Sequence, residues 1–225
     1  MSINRSIIFD IDGTLLFAKG IGRKSFGIAF EEVYDIPYPD ISKLCFIGAT
    51  DSNVIRSMAK ECNVENTTAK EERFFLRLTG LIDQGLSLNK PHVYPGVLQL
   101  LGELKRHGFP LGIITGNIRP TSWSKLHHAS IGDFFSFGAY GDDHHERSEI
   151  TKIALARAPA KAPVAMMVGD TPLDIKAAKA NNLIAVAVAT GWVSAEDLAD
   201  AGADLVLTDF SNTHQCIKQI CKLLA

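Results

Sequence analysis

Two aspartates one residue apart, Asp10 and Asp12, follow a short apolar run near the amino terminus of the chain. Residues 7–9 are β-branched or aromatic and lead into a turn at Gly13, which predicts a buried strand. Such a strand delivers both carboxylates to its carboxyl end, where open α/β sheets bind ligands. Carboxylates this close repel each other unless a cation neutralises them. The pair therefore predicts a site for a hard divalent cation.

A second polar group, Thr115-Gly116-Asn117, ends the apolar run of residues 109–114 just before a predicted helix. Backbone N–H groups at such a turn can cradle an anion. Helix capping by Thr115 or Asn117 is the alternative interpretation. The position after a strand favours an anion-binding role beside the first two acids.

Asp170 lies at the tip of a third apolar run, residues 164–168, and Asp174 follows within the first turn of the next predicted helix. Acids favour helix amino termini for dipole reasons alone, and this alternative stays open for Asp174. Asp170 differs, because three acids at neighbouring sheet ends require a common cation. We expect Asp10, Asp12 and Asp170 to meet around one ion.

The patterns Asp-x-Asp-Gly-Thr at residues 10–14 and Gly-Asp-x-x-x-Asp at residues 169–174 resemble the first and fourth motifs of the haloacid dehalogenase-like superfamily. Its members are mostly phosphate-ester hydrolases. The resemblance implies that Asp10 is the nucleophile, that Asp12 is the general acid and base, and that Thr115 bonds the transferring phosphoryl group beside Gly116 and Asn117. It also implies a Mg²⁺ ion, with these ligands: Asp10, Asp12, Asp170 and Asp174.

The family's third motif supplies a cation that holds the nucleophile and the phosphoryl group together, and its usual Lys-Pro pair is missing from this chain. Arg147 and Lys152 are the candidates. We favour Arg147, because it stands at the entrance of a predicted helix and its planar fork matches phosphate oxygens.

After residue 90, strand-like and helix-like runs alternate along the chain and position these residues. This alternation predicts a parallel sheet covered by helices. The predicted strands cover residues 109–114, 134–137, 164–168, 183–188 and 204–207. The predicted helices cover residues 95–107, 119–129, 148–158, 172–181, 195–201 and 212–224. The predicted class is α/β, with a Rossmann-like three-layer core.

More than 70 residues separate the first strand from the helix at residue 95, too many for a simple crossover. Their apolar residues recur at helical spacing on three segments. We predict an inserted α-helical cap at residues 17–91 and a core made of residues 1–16 and 92–225. This arrangement resembles the phosphoglycolate phosphatase-like members of the family. Arg23, in the cap, is the candidate for binding the rest of the substrate, with a solvated helix charge as its alternative.

The composition is that of an ordinary globular enzyme, with 46% hydrophobic residues, 21% charged residues and a formal net charge of -2. This charge gives no drive toward nucleic acid or an anionic membrane. The sequence shows no signal peptide and no long apolar stretch, so we predict a cytoplasmic protein. A monomer and a homodimer both fit.

Together these features predict a Mg²⁺-dependent phosphatase that hydrolyses a small phosphorylated metabolite through an aspartyl-phosphate on Asp10. Asp12 argues against dehalogenation, because true dehalogenases of this fold lack the second aspartate. Phosphosugar mutases of the same superfamily keep both aspartates and are the alternative. A binding or regulatory module without turnover is a further alternative of a different class.

Overall fold

The structure, a computed structural model, describes residues 5–42 and 44–224. Eight strands are present among these residues, six of them in one parallel sheet. They are β1 (Ser6–Phe9), β2 (Leu16–Phe17), β3 (His92–Val93), β4 (Leu111–Ile114), β5 (Phe135–Ala139), β6 (Val164–Gly169), β7 (Ile184–Val188) and β8 (Leu205–Leu207). The large sheet has the order β5-β4-β1-β6-β7-β8, and β2 pairs with β3.

The strand order reverses at β1, which lies between β4 and β6. A crevice forms at the carboxyl ends of parallel strands at such a reversal. Asp10 follows β1, Thr115 follows β4 and Asp170 follows β6, so the topology brings the three predicted groups to one edge of the sheet. The predicted α/β class is confirmed.

Helices cover both faces of the sheet. Alternation along β1 separates the two faces, because Ile7 and Phe9 belong to one buried cluster and Ile8 to the other. The nine helices of the described residues are α1 (Ile21–Tyr34), α2 (Asp51–Glu61), α3 (Thr68–Leu88), α4 (Val97–Arg106), α5 (Arg119–His128), α6 (Arg147–Arg157), α7 (Pro172–Ala180), α8 (Ala195–Asp200) and α9 (Thr213–Leu224). Residues of α4 and α9 join the cluster of Ile7, whereas residues of α6, α7 and α8 join that of Ile8. The three-layer core is thus confirmed.

The predicted core helices are all present, and each begins and ends within two residues of its predicted position. In the described part of the chain, none of the helices has both the length and the apolar character that crossing a bilayer requires.

Helices α1, α2 and α3 form the predicted helical insertion. Aromatic side chains hold it together: the rings of Phe26 and Phe74 pack edge to face at 4.8 Å, and those of Phe30 and Tyr34 stack at 4.3 Å. The antiparallel pair of β2 and β3 brings the two ends of the insertion together. Helix α3 continues to Leu88, and β3 begins at His92. The exact division of the chain into residues 17–91 and the rest stays a prediction.

Candidate active site

Asp10 is the first residue beyond β1 and is almost completely buried. Its N–H donates to the carbonyl of Val168 at 2.9 Å, which continues the pairing with β6 and fixes the backbone at the sheet edge. Gly13 has a φ of 83°, and a Cβ there would lie 2.1 Å from the nearer Asp170 oxygen. Only glycine lets the loop after β1 pass this close to Asp170.

Three buried acids converge at this edge. One carboxylate oxygen from each of Asp10, Asp170 and Asp174 lies within 4.8 Å of the other two. Thr14 donates to Asp170 at 3.1 Å. Asp174 accepts from the backbone N–H of Thr171 at 3.0 Å and from its hydroxyl at 2.6 Å, so the acid is fixed as part of a helix cap.

If all three acids were ionised, they would carry more negative charge than Arg147 balances. Burial raises the pKa of Asp170 to about 7, and the charge of Asp174 adds to this shift. Burial also raises the pKa of Asp10 well above its ordinary value, against the opposing effect of Arg147. Clustered, buried oxygen donors with excess negative charge are what a hard divalent cation requires. The residues present therefore fit a metal site.

Arg147, the first residue of α6, is the cation among these acids. Its Nη1 donates to Asp174 Oδ1 at 2.6 Å, and its guanidinium lies 3.4 Å from Asp10 Oδ1. Lys152, the other candidate, is exposed and pairs with Glu149 on the same helix. The structure brings Arg147 and not Lys152 to the acids.

Asp12 stands apart from the other three acids. Its Oδ2 accepts from Lys125 Nζ at 2.5 Å and from Asn117 Nδ2 at 2.7 Å. The group of three acids within 4.8 Å of one another does not include Asp12, because the buried ammonium group of Lys125 attracts its carboxylate toward α5. The predicted role of Asp12 as a ligand of the same ion stays a prediction.

Sequence reasoning missed Lys125. Only 4% of this lysine is exposed, and it also donates to Asn117 Oδ1 at 2.8 Å. It stands eight residues after Asn117, on the helix face that also buries Thr121, Ser122 and Leu126. A charged residue on a buried helix face was the available signal.

Thr115, Gly116 and Asn117 lie beside Asp12, at the tip of β4. The hydroxyl oxygen of Thr115 accepts from Asn117 Nδ2 at 2.9 Å, which links the Thr115 side chain to the contacts of Asp12. Gly116 touches the insertion, because a Cβ on it would lie 2.1 Å from the carbonyl oxygen of Ala49. Their predicted role in binding the substrate stays a prediction.

The start of α2 packs against this part of the core. Thr50 caps the helix by accepting from Asn53 N–H at 3.3 Å. The N–H of Asp51 donates to the Gly116 carbonyl at 2.8 Å, and its carboxylate accepts from Ile118 N–H at 2.9 Å. Burial raises the pKa of Asp51 to about 6, although Lys125 opposes the shift.

Arg23 lies on α1 and makes its contacts within the insertion. It donates to the Ile41 carbonyl at 2.9 Å and lies over the ring of Phe46. The side chain is exposed, and these contacts agree with the solvated alternative. Its predicted contact with substrate stays a prediction.

The sequence is similar to one protein family and to several named proteins. The family model described as haloacid dehalogenase-like hydrolase matches residues 7–188. The chain is 27% identical over 216 residues to a phosphoglycolate phosphatase of Yersinia pseudotuberculosis, and the match covers 92% of this chain and 90% of the relative. It is 26% identical over 222 residues to the protein of Dickeya dadantii named Probable phosphatase IndB, with 96% and 95% covered.

Among solved structures, the fold is similar to that of CbbY from Rhodobacter sphaeroides in complex with phosphate. The TM-score is 0.74 with 20% sequence identity, and the match covers 92% of this chain and 95% of the other. At this identity the likeness shows the fold alone.

Proposed function

Because the chain belongs to the haloacid dehalogenase-like hydrolase family, we propose that it is a Mg²⁺-dependent phosphatase acting on a small-molecule phosphate monoester. The observation that carries this proposal is the convergence of Asp10, Asp170 and Asp174 with Arg147 at one sheet edge. Phosphoglycolate is the first substrate to test, since distant relatives over most of the chain are phosphoglycolate phosphatases.

In the first step, a carboxylate oxygen of Asp10 attacks the phosphorus atom in line with the leaving group. The bond from phosphorus to the leaving oxygen breaks, its electron pair stays on that oxygen, and Asp12 supplies the proton. An aspartyl-phosphate and the free alcohol result. The positive charge of Arg147 offsets the charge on the equatorial phosphate oxygens, and the hydroxyl of Thr115 donates a hydrogen bond to them.

In the second step, Asp12 takes a proton from water as the water oxygen attacks the phosphorus of the aspartyl-phosphate. The bond between phosphorus and Asp10 breaks, which restores the carboxylate and releases inorganic phosphate. A Mg²⁺ ion held by Asp10, Asp170 and Asp174 would supply further positive charge beside the phosphate oxygens.

The cap supplies specificity in this proposal, because the core groups recognise only the phosphate. Arg23 is the cap residue proposed to contact the remainder of an anionic substrate.

We propose a cytoplasmic monomer or homodimer whose partner is a small phosphorylated metabolite rather than nucleic acid or a membrane. Light scattering of the purified protein distinguishes the two oligomeric states.

The test is phosphate release from a panel of phosphate monoesters, measured with Mg²⁺ and with EDTA. We expect release that requires Mg²⁺ and that is abolished in Asp10→Asn, because this variant removes the covalent route. Asp12→Asn should lose about 10²- to 10⁴-fold in rate, the usual contribution of acid-base catalysis.

Two other outcomes would replace the proposal. Transfer of labelled phosphate from a sugar bisphosphate to the product, rather than to water, would identify a phosphosugar mutase. Folded protein that releases no phosphate from any ester would identify a binding or regulatory module.

A further inference from the structure

Lys125 is the one lysine that is buried among the described residues, and the proposed reaction gives it no role. Burying an ammonium group is costly unless it is paired. Its Nζ is paired within the candidate active site, with Asp12 Oδ2 at 2.5 Å and Asn117 Oδ1 at 2.8 Å. This placement indicates a local task at Asp12, since an apolar side chain would pack at this helix position at lower cost.

The contacts hold Asp12 by one oxygen. Lys125 and Asn117 both donate to Oδ2, whereas no described residue donates to Oδ1. About 39% of the side chain of Asp12 is exposed, so Oδ1 can exchange a proton with a bound molecule. Two donors on the same oxygen fix the rotation of the carboxylate, because turning it would break both hydrogen bonds.

The same contacts link Asp12 to the predicted phosphate-binding turn. Asn117 donates from one amide nitrogen both to Asp12 Oδ2 and to Thr115 Oγ1. Its amide oxygen accepts from Lys125. Lys125 therefore orients the amide of Asn117, whose nitrogen donates to Asp12 Oδ2, so both contacts of the lysine act on the carboxylate of Asp12.

We propose that Lys125 is a positioning residue for Asp12. The lysine holds Asp12 Oδ2, so that Asp12 Oδ1 faces the leaving oxygen of the substrate in the first step and the attacking water in the second. This inference rests on the proposed phosphatase function. It adds a residue of α5 to the site and assigns the two oxygens of Asp12 different tasks.

The test compares leaving groups in Lys125→Met. A primary alkyl phosphate needs a proton on its leaving oxygen, whereas 4-nitrophenyl phosphate releases a stable anion without one. The quantity to compare is kcat/KM, which reports the steps up to the phosphorylation of Asp10. We expect a loss of about 10- to 100-fold for the alkyl ester, part of the acid-base contribution, and less than about threefold for the aryl ester.

Three further variants separate positioning from general damage. Lys179→Met removes an exposed lysine paired with Asp204 and should change neither value. Asp12→Asn combined with Lys125→Met should be no slower on the alkyl ester than Asp12→Asn alone, because the two residues act as a unit. If Lys125→Met does not fold, Lys125→Gln takes its place, because its amide can still donate to Asn117. Its kcat/KM values for the alkyl and the aryl ester are then compared in the same way.

Equal losses for both esters, or no loss for either, would overturn the inference while the proposed function stands. Additive losses in the double variant would also overturn it. Wild-type protein that releases no phosphate from any alkyl ester in Mg²⁺ would instead overturn the proposed function itself.

Discussion

Arg147 Nη1 donates to Asp174 Oδ1 at 2.6 Å, and the same guanidinium lies 3.4 Å from Asp10 Oδ1. The start of α6 is thereby joined to the first turn of α7 and to the end of β1. Since Arg147 and both acids are buried, the arginine balances charges that water cannot reach. One residue thus contributes both to the stability of the site and to its capacity to bind an anion.

Arg147→Met should therefore reduce both stability and activity. Removing one partner from a buried ion pair leaves the acids uncompensated, and we expect a loss of about 3 kcal/mol in the free energy of unfolding in EDTA. Urea unfolding measures this loss, and Mg²⁺ should recover part of it because a cation replaces the missing charge. The rate of phosphate release should fall for aryl and alkyl esters alike, by about 10²-fold or more.

Lys152→Met is the matched control for Arg147→Met, since Lys152 lies on the same helix but is exposed. It should leave stability within about 0.5 kcal/mol of the wild type and the rate unchanged. A larger effect at residue 152 than at residue 147 would reverse our assignment of the cation.

Divalent-cation binding should release protons near neutral pH. Burial and the neighbouring Asp174 raise the pKa of Asp170 to about 7 in the metal-free protein, so this acid is largely protonated at about pH 6. A cation binds the ionised form, and the proton must leave. Calorimetric titration with Mg²⁺ in buffers of different ionisation enthalpy should show more protons released at about pH 6 than at about pH 9.

The same titration of Asp170→Asn checks the source of the protons. This variant should bind Mg²⁺ more weakly and release fewer protons at the lower pH. Proton release that is identical at both pH values in the wild type would contradict the raised pKa of Asp170.

Asp51 should make the protein less stable as the pH rises from about 4 to about 6. Burial raises its pKa to about 6 in the folded state, against an ordinary value of 3.8. Between these values the folded protein keeps the proton and the unfolded chain has lost it, so folding is favoured at the lower pH. The cost above pH 6 is at most about 3 kcal/mol, since one pKa unit corresponds to about 1.4 kcal/mol.

Asp51→Asn removes this titration and keeps an oxygen that can accept from Ile118 N–H. Its free energy of unfolding, measured in EDTA across this pH range, should therefore lack the decline that Asp51 causes in the wild type. Two parallel curves would show that Asp51 titrates normally.

Asp10 and Asp170 could be predicted because each of them directly follows a buried strand. Asp10 and Asp170 extend apolar runs whose strands are neighbours in the sheet, and parallel strands place their carboxyl ends at one edge. The two candidates for the cation came from the resemblance to the family's third motif, and the place of Arg147 at a helix entrance selected it. The positions of the two acids needed only local pattern and topology.

Lys125 and the placement of Asp12 could not be predicted in this way. The lysine reaches Asp12 across 113 positions of sequence, and the contact depends on the packing that brings α5 to the loop after β1. Asp51 raises the same difficulty, because its residue type and position match an ordinary helix start. Its carboxylate instead bonds Ile118 N–H, and this contact exists only because the insertion docks on the core.

That docking should be sensitive to one methyl group at Gly116. A Cβ on this residue would lie 2.1 Å from the carbonyl oxygen of Ala49, which is backbone and cannot rotate away. Gly116→Ala should therefore push residues 49–51 off the core and lower kcat/KM for all phosphate esters by about 10²-fold, as a displacement of about 1 Å can do.

Gly102→Ala is the matched control, because nothing lies within 4 Å of its added Cβ, and in α4 the change should raise stability slightly. Limited proteolysis should cut the insertion faster in Gly116→Ala than in Gly102→Ala, and equal cutting with equal rates would show that the contact at Gly116 does not hold the insertion against the core.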